Sequence, residues 1–386
     1  MNIGIIDADL LGQPNHKFPN LALMKLSAYH KRKGDTVRLI SYDDINPRML
    51  VKQNFDKVFL SKVFTNSVVP EYVLKLPFVV WGGTGFYYDL APNLPDEIEH
   101  TFPDYDLYSE WVKNDKKFQS RKHTYYRYYT EFSVGFTTRG CFRQCQFCVN
   151  RNERRVYRHS PLSEFVDPKR PKITLLDDNI LGCGEHWEDI ITQLQATGKP
   201  FEFKQGMDIR MLSDKKAELL SKSKYAGDYI FAFDDIADRD VIEHKLEIFR
   251  KHLPNSTPKL YVFCAFDRNG IYDDSFWIRD IEDMLERFRI LQKHHAVPYL
   301  MKYDKYKESP FRDLYVALGS YNAPIIFKKL TIREYLGHRK CIINFAKRHP
   351  SIANKYFDMR FTGVGERVQE TKNKQVTLFD TQTVKK

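Results

Sequence analysis

Three cysteines fall within eight residues, in the run Cys141-Phe142-Arg143-Gln144-Cys145-Gln146-Phe147-Cys148. No other stretch constrains the fold so tightly, because three thiols this close share one loop and one site. Cys183, Cys264 and Cys341, the remaining three of six, are scattered near apolar stretches, where cysteine acts as a small buried hydrophobe. At C-x3-C-x2-C spacing, three thiolates can bind three irons of a four-iron cluster and leave the fourth iron open to a substrate or cosubstrate. A structural zinc site is the alternative. It needs a fourth ligand, with His123 and His159 the nearest histidines, and zinc sites usually carry two C-x2-C pairs where this chain has one.

The run follows the apolar segment Val134-Gly135-Phe136-Thr137 and the turn Arg139-Gly140, so it sits at the end of a strand. Strands are predicted at 134–137, 173–176, 202–205, 229–233, 260–266 and 298–301. Helices are predicted at 188–196, 214–221, 240–252 and 281–294. Ahead of them, strands at 2–6, 37–40, 57–60 and 78–81 alternate with a helix over 21–32 that Gly34 stops. That alternation is the pattern of a doubly wound parallel sheet. The fold class is α/β: an N-terminal doubly wound (Rossmann-like) domain over 1–110, a basic and aromatic connector over 111–131, and a barrel-type region over 132–305. A helical extension over 306–365 follows, with helices at 310–318, 332–336 and 341–348, and then a polar tail over 366–386.

The cysteine run, placed after a strand at the head of six strand–helix repeats, resembles the signature of the radical S-adenosylmethionine (radical SAM) superfamily. The resemblance implies a partial (β/α)6 barrel of TIM type, six repeats being fewer than the eight of a closed barrel. It implies that Cys141, Cys145 and Cys148 hold a 4Fe-4S cluster with SAM on the open iron. One electron from a flavodoxin- or ferredoxin-type reductant protein then cleaves SAM to methionine and a 5′-deoxyadenosyl radical. Phe147 matches the family's aromatic position near the adenine. Many members carry Gly-Gly-Glu after the second barrel strand to hold the SAM amino group. This chain has Leu176-Asp177-Asp178-Asn179 there, leaving Asp177 or Asn179 to replace that acceptor. Gln205, Asp208 and Arg210, after the third strand, are candidates for the ribose hydroxyls and the SAM carboxylate, with a salt-bridged turn as the structural alternative.

The N-terminal domain resembles the cobalamin-binding domains of one large radical SAM subgroup. Asp7-Ala8-Asp9-Leu10-Leu11-Gly12 lies where some of those domains carry Asp-x-His-x-x-Gly. Asp9 stands in the histidine position, so a histidine-to-cobalt bond there is absent. Gly82, Gly83 and Gly85 either approach a phosphate-bearing cofactor or close the fourth strand. A cobalamin-dependent radical SAM methyltransferase is therefore an alternative function. The methylthiotransferase version of this domain would need three further cysteines, and residues 1–140 contain none.

The net charge of +11 is concentrated around the cysteines: between Lys113 and Lys172 there are 15 Lys or Arg against 5 Asp or Glu. Lys116, Lys117, Arg121, Lys122 and Arg127 interleave with Tyr125, Tyr126, Tyr128 and Tyr129. That pattern suits either a nucleic-acid partner or a solvated surface beside an anionic cluster. A nucleic-acid-binding module stabilised by a metal is the reading from another class. The N-terminus lacks a basic stretch followed by a long apolar one, and no run reaches the ~20 apolar residues of a membrane span, so a cytoplasmic protein without a membrane partner is expected. Gln375-Val376-Thr377-Leu378-Phe379 resembles the peptide by which bacterial proteins bind the replication sliding clamp.

Overall fold

The computed structural model describes residues 1–13, 16–40, 54–115 and 125–360. Lys116, Lys117, Arg121, Lys122, His123 and the sliding-clamp motif at the C-terminus lie outside these. The chain divides into two units, one running to Gly227 and the other starting at Asp228. Both are mixed α/β with parallel sheets.

In the first unit β1 (Asn2–Asp7), β2 (Thr36–Leu39), β3 (Lys57–Ser61) and β4 (Val79–Gly82) form one parallel sheet in the order β2-β1-β3-β4. The helix Leu21–Arg32 lays Leu23, Met24, Leu26 and Tyr29 on Ile3 and Ile5. Ile6, Val58, Leu60, Val73 and Val79 make the core on the other face. Burial on both faces explains why β1 and β3 read as short apolar runs rather than alternating ones.

β5 (Phe132–Gly135), β8 (Lys172–Leu175) and β9 (Phe201–Phe203) make a second parallel sheet, in the order β5-β8-β9. β6 (Thr138–Arg139) and β7 (Tyr157–Arg158) close an antiparallel ribbon around the cysteine run, pairing Thr138 with Arg158 and Arg139 with Tyr157. The sequence pattern places the end of β5 at Thr137, but the strand stops at Gly135. The Thr137 amide turns instead to the Asp177 carboxylate, 3.2 Å away.

In the second unit β10 (Ile230–Ala232), β11 (Lys259–Cys264) and β12 (Val297–Lys302) make a three-stranded parallel sheet, in the order β10-β11-β12. The helices Arg239–His252 and Asp274–Lys293 connect its strands. Arg287, buried on the second helix, donates to the carbonyls of Phe233, Asp234 and Phe263 at 2.9 to 3.0 Å and ties the ends of β10 and β11 together. β11 ends short of Phe266 because Ala265 takes φ +63° and gives its amide to Asp280 at 2.9 Å. Helices follow at Arg312–Tyr321, Pro324–Lys329, Ile332–Leu336, Lys340–Arg348 and Pro350–Tyr356. All six strands of the barrel pattern are present, as two sheets of three.

The described parts of the connector, 111–115 and 125–131, are less open than its composition suggests. Short helices cover Ser109–Asn114 and Arg127–Thr130, and Tyr126 and Tyr129 pack with Trp111 in the core of the first sheet. Tyr128 is buried as well, its hydroxyl donating to Glu202 at 2.7 Å. These three rings are core residues and offer no stacking face to a base. Among the described residues, no helix is long and apolar enough to cross a membrane.

Candidate functional site

The cysteine loop leaves the carboxyl end of β5, the end of a parallel sheet on which loops gather function. None of the three thiols is in a disulfide, and all three are partly exposed. The Cys148 amide donates to the Cys145 carbonyl at 2.9 Å, which closes a turn. The Arg143 and Asn150 amides point at the sulfurs of Cys141 and Cys148, at 3.5 and 3.4 Å. Gly140 is required for the approach: its φ is +86°, and a Cβ there would lie 2.3 Å from the Arg155 carbonyl oxygen.

The segment after β8 braces this loop at three successive points. Asp177 is fully buried and accepts from the Thr137 and Thr138 amides and from both hydroxyls, at 2.6 to 3.2 Å. Burial pushes its carboxyl above the usual range, and the threonine donors oppose that shift. Three of these donors fall on Oδ1 and one on Oδ2, so Asp177 spends its carboxylate on the start of the cysteine loop. Asp178 accepts from the Gly140 amide at 2.8 Å and faces Arg139 at 3.6 Å. Asn179 sends its side-chain nitrogen to the Cys141 sulfur at 3.5 Å, while its buried Oδ1 has no hydrogen-bond partner. An orphaned buried acceptor beside the Cys141 sulfur calls for a donor.

A further brace follows β9. Asp208 is buried and bridges Arg143 of the cysteine loop, at 2.5 Å, and Arg210, at 2.7 Å. Its oxygens are engaged by these two guanidinium groups. Gln205 is exposed, and Phe147 is half-buried, its carbonyl accepting from the Tyr88 hydroxyl. Tyr88 and Asp89 follow β4 of the first sheet. Asp89 accepts from Arg151 at 2.7 Å and from Asn152 at 2.8 Å, so these two residues clasp the far end of the same loop. The Arg151 guanidinium holds the Asp89 carboxyl below its usual range.

Asp178, Arg143 and the Tyr88–Asp89 pair were not singled out by pattern. The single arginine within the cysteine run was a signal, since a half-buried arginine requires an acid. Nothing local to Tyr88 or Asp89 announces a contact 59 or more residues away.

The residues named for a cofactor in the N-terminal domain are taken up by the domain itself. Asp7 caps the next helix through the amides of Asp9 and Leu10, both at 3.1 Å, and accepts from the Tyr108 hydroxyl at 2.7 Å. Asp9 accepts from the amides of Val63, at 2.7 Å, and Phe64, at 3.2 Å, and from the Ser67 hydroxyl. The crevice between β1 and β3, the switch point of this strand order, is crossed by Asn20, which donates to Ser61 at 2.9 Å. A Cβ on Gly83 would meet the Lys62 carbonyl oxygen at 2.3 Å, and one on Gly85 the Phe64 carbonyl oxygen at 2.8 Å. A Cβ on Gly12 would lie 2.9 Å from the Val68 nitrogen, whereas Gly82 has open space around it. The missing side chains of Gly12, Gly83 and Gly85 are thus filled by neighbouring backbone, and the residues present do not fit a cobalamin at this crevice.

Among the described residues, no three His, Cys, Asp or Glu side chains converge as ligands of a single metal ion. Cys183 and Cys264 are buried, and burial raises both thiols, Cys183 to about 11, which disfavours the thiolate a metal needs. Three partly exposed thiols on one loop, with amides aimed at two of the sulfurs, have the donor chemistry of an iron–sulfur centre.

No family model and no curated protein matches the chain. Among solved structures it is similar to the cobalamin-dependent S-adenosylmethionine radical enzyme OxsB, in an apo form (TM-score 0.36) and with aqua-cobalamin bound (TM-score 0.35), at 12% identity in both. The matches cover 96% of this chain and 61% of the OxsB chains, so it spans less than two thirds of their length. A likeness at this TM-score carries no weight beside the geometry of the residues.

Proposed function

We propose that this chain is a radical SAM enzyme in which Cys141, Cys145 and Cys148 hold a 4Fe-4S cluster. The observation that carries the reading is Asn179: a buried amide with its nitrogen on the Cys141 sulfur and its oxygen unsatisfied. An acceptor at that place would suit the amino group of a bound SAM molecule. When bound, such a cluster supplies the electron that splits SAM into methionine and a 5′-deoxyadenosyl radical. The chain's own residues hold the thiolates in register. Asp177 fixes Thr137 and Thr138, Asp178 fixes Gly140, and Asp208 fixes Arg143. Arg143 and Arg210 also bring positive charge toward a centre whose ligands are three thiolates. A flavodoxin- or ferredoxin-type reductant is the electron source this function requires.

Anaerobic reconstitution with iron and sulfide is expected to give about four irons per chain. Reduction with dithionite in the presence of SAM should then release 5′-deoxyadenosine, and Cys145→Ala should abolish it. One zinc per chain, or product release that persists in Cys145→Ala, overturns the proposal.

A further inference from the structure

The ribbon that follows the cysteines is unusual in its charge and in how it is held. Six arginines lie between Arg139 and Arg158, with no lysine and only one acid, Glu153. Four of the six are committed: Arg139 faces Asp178, Arg143 pairs with Asp208, Arg151 with Asp89, and Arg158 with Asp189. The last two pairs pin the segment 151–158 at both ends. Between them Arg154 and Arg155 are exposed and form no ion pair with any described carboxylate. The Arg155 guanidinium lies 5.7 Å from the centre of the Tyr157 ring, and Tyr157 is itself 37% exposed on β7. This group is locked to the cysteine loop, because the Arg155 carbonyl fills the space a Cβ on Gly140 would occupy, next to Cys141.

From this placement we infer that Arg154, Arg155 and Tyr157 dock a single-stranded nucleic acid at the mouth of the cysteine loop. Arginine, rather than lysine, offers a planar fork to phosphate oxygens and a flat face to a base. A neighbouring exposed tyrosine adds a second ring for stacking, and every base has a face to stack. Two unpaired arginines in sequence suit the repeating charge of a strand. A duplex hides the base faces that Tyr157 would contact. The inference rests on the radical SAM reading only for its consequence, which is that the group acted on is a nucleotide; the docking itself needs no cluster.

The test is fluorescence anisotropy of labelled 20-nucleotide RNA and DNA strands, and of the matching duplexes, with the full-length chain before reconstitution. Single strands should bind at low salt and bind more tightly than duplexes. Arg154→Gln/Arg155→Gln should weaken binding about tenfold and lower the salt slope by about 1.4, the share of two phosphate contacts on a single strand. Tyr157→Ala should weaken it about tenfold through lost stacking. The arginine variants are on the surface and should leave iron content and strand-free SAM cleavage unchanged. The inference is overturned by absence of binding, by tighter binding of the duplex, by binding insensitive to the arginine variants, or by polyglutamate competing as well as the strand does. Strand binding without any 5′-deoxyadenosine would sink the enzyme reading and leave the docking surface standing.

Discussion

Asp177 and Asn179 sit two residues apart and meet opposite demands. The acid accepts from four threonine donors, whereas the amide keeps an oxygen that nothing in the chain satisfies. Leaving a buried acceptor unpaired costs about 1–3 kcal/mol, so a ligand that supplies the missing donor recovers that energy on binding. Asn179→Leu should therefore weaken SAM binding about tenfold, equivalent to about 1.4 kcal/mol, with iron content close to wild type. Equilibrium dialysis of SAM against the reconstituted variant reads this directly, and unchanged affinity would count against the amino-group role. His159 offers a different kind of prediction. Burial pushes its imidazole down to about 4 from the ordinary 6.5, with Lys25, Arg139 and His100 adding to the fall and Glu99 opposing it. A histidine lowered in the folded state keeps the fold stable above 6.5 and gives that stability up as pH falls from 6.5 toward 4, where only the unfolded chain takes the proton. After allowance for solvent screening the loss is about 2 kcal/mol. Melting temperatures of the unreconstituted chain across that window should fall more steeply for wild type than for His159→Asn.

At the scale of elements the cysteine loop is held by the exits of three strands: β8 through Asp177 to Asn179, β9 through Asp208, and β4 through Tyr88 and Asp89. Gly140 is the tightest point of that cage. Gly140→Ala forces a side chain into a left-handed backbone and against the Arg155 carbonyl, so the loop must shift. The expected result is iron retention weakened about tenfold, as when a partner that orients a metal ligand is lost. Iron assays after gel filtration, with far-ultraviolet circular dichroism as the folding check, decide it. The elements themselves were largely legible. The helices at Leu21–Arg32 and Asp214–Ser221 have the limits their apolar spacing and caps indicate. Misplaced ends have local causes that periodicity does not carry, such as the Asp177 contact that stops β5 and the capping of the last long helix by Asp273, which starts it at Asp274 rather than 281. The connector misled for a related reason. Composition registers tyrosines among lysines but not which way a short helix turns them, and Tyr126 and Tyr129 turn inward. In the site, the cysteines were legible because three reactive side chains are adjacent in sequence. Asp177 and Asp208 were named from their places after strands, but as SAM contacts; Asp178 and Asp89 were not, since each is defined by a partner 38 or 62 residues away.

The first unit of the molecule joins a doubly wound sheet to the cysteine loop, and the chemistry of the join says what that sheet is for. Its switch-point crevice is crossed by Asn20, Ser61, Tyr108 and Asp7, and its glycine loop is packed against its own β3 exit. The loop after β4 instead spends its polar groups on the cysteine loop, where the Asp89 side chain, only 8% exposed, takes both Arg151 and Asn152. A carboxylate so placed is worth more for aligning the loop than for stability alone, because its partners follow Cys148 by three and four residues. Asp89→Asn keeps the shape and removes the charge, leaving Arg151 without its counter-ion. The reconstituted variant should lose iron about tenfold faster to a chelator, and the electron paramagnetic resonance signal of the reduced cluster should respond less to SAM. Wild type mixed with hydroxocobalamin should emerge from gel filtration free of the corrin's visible bands. A sheet that carried a corrin would reverse both results: stoichiometric bands on the wild-type chain, and an Asp89→Asn cluster indistinguishable from the parent in iron loss and in its response to SAM.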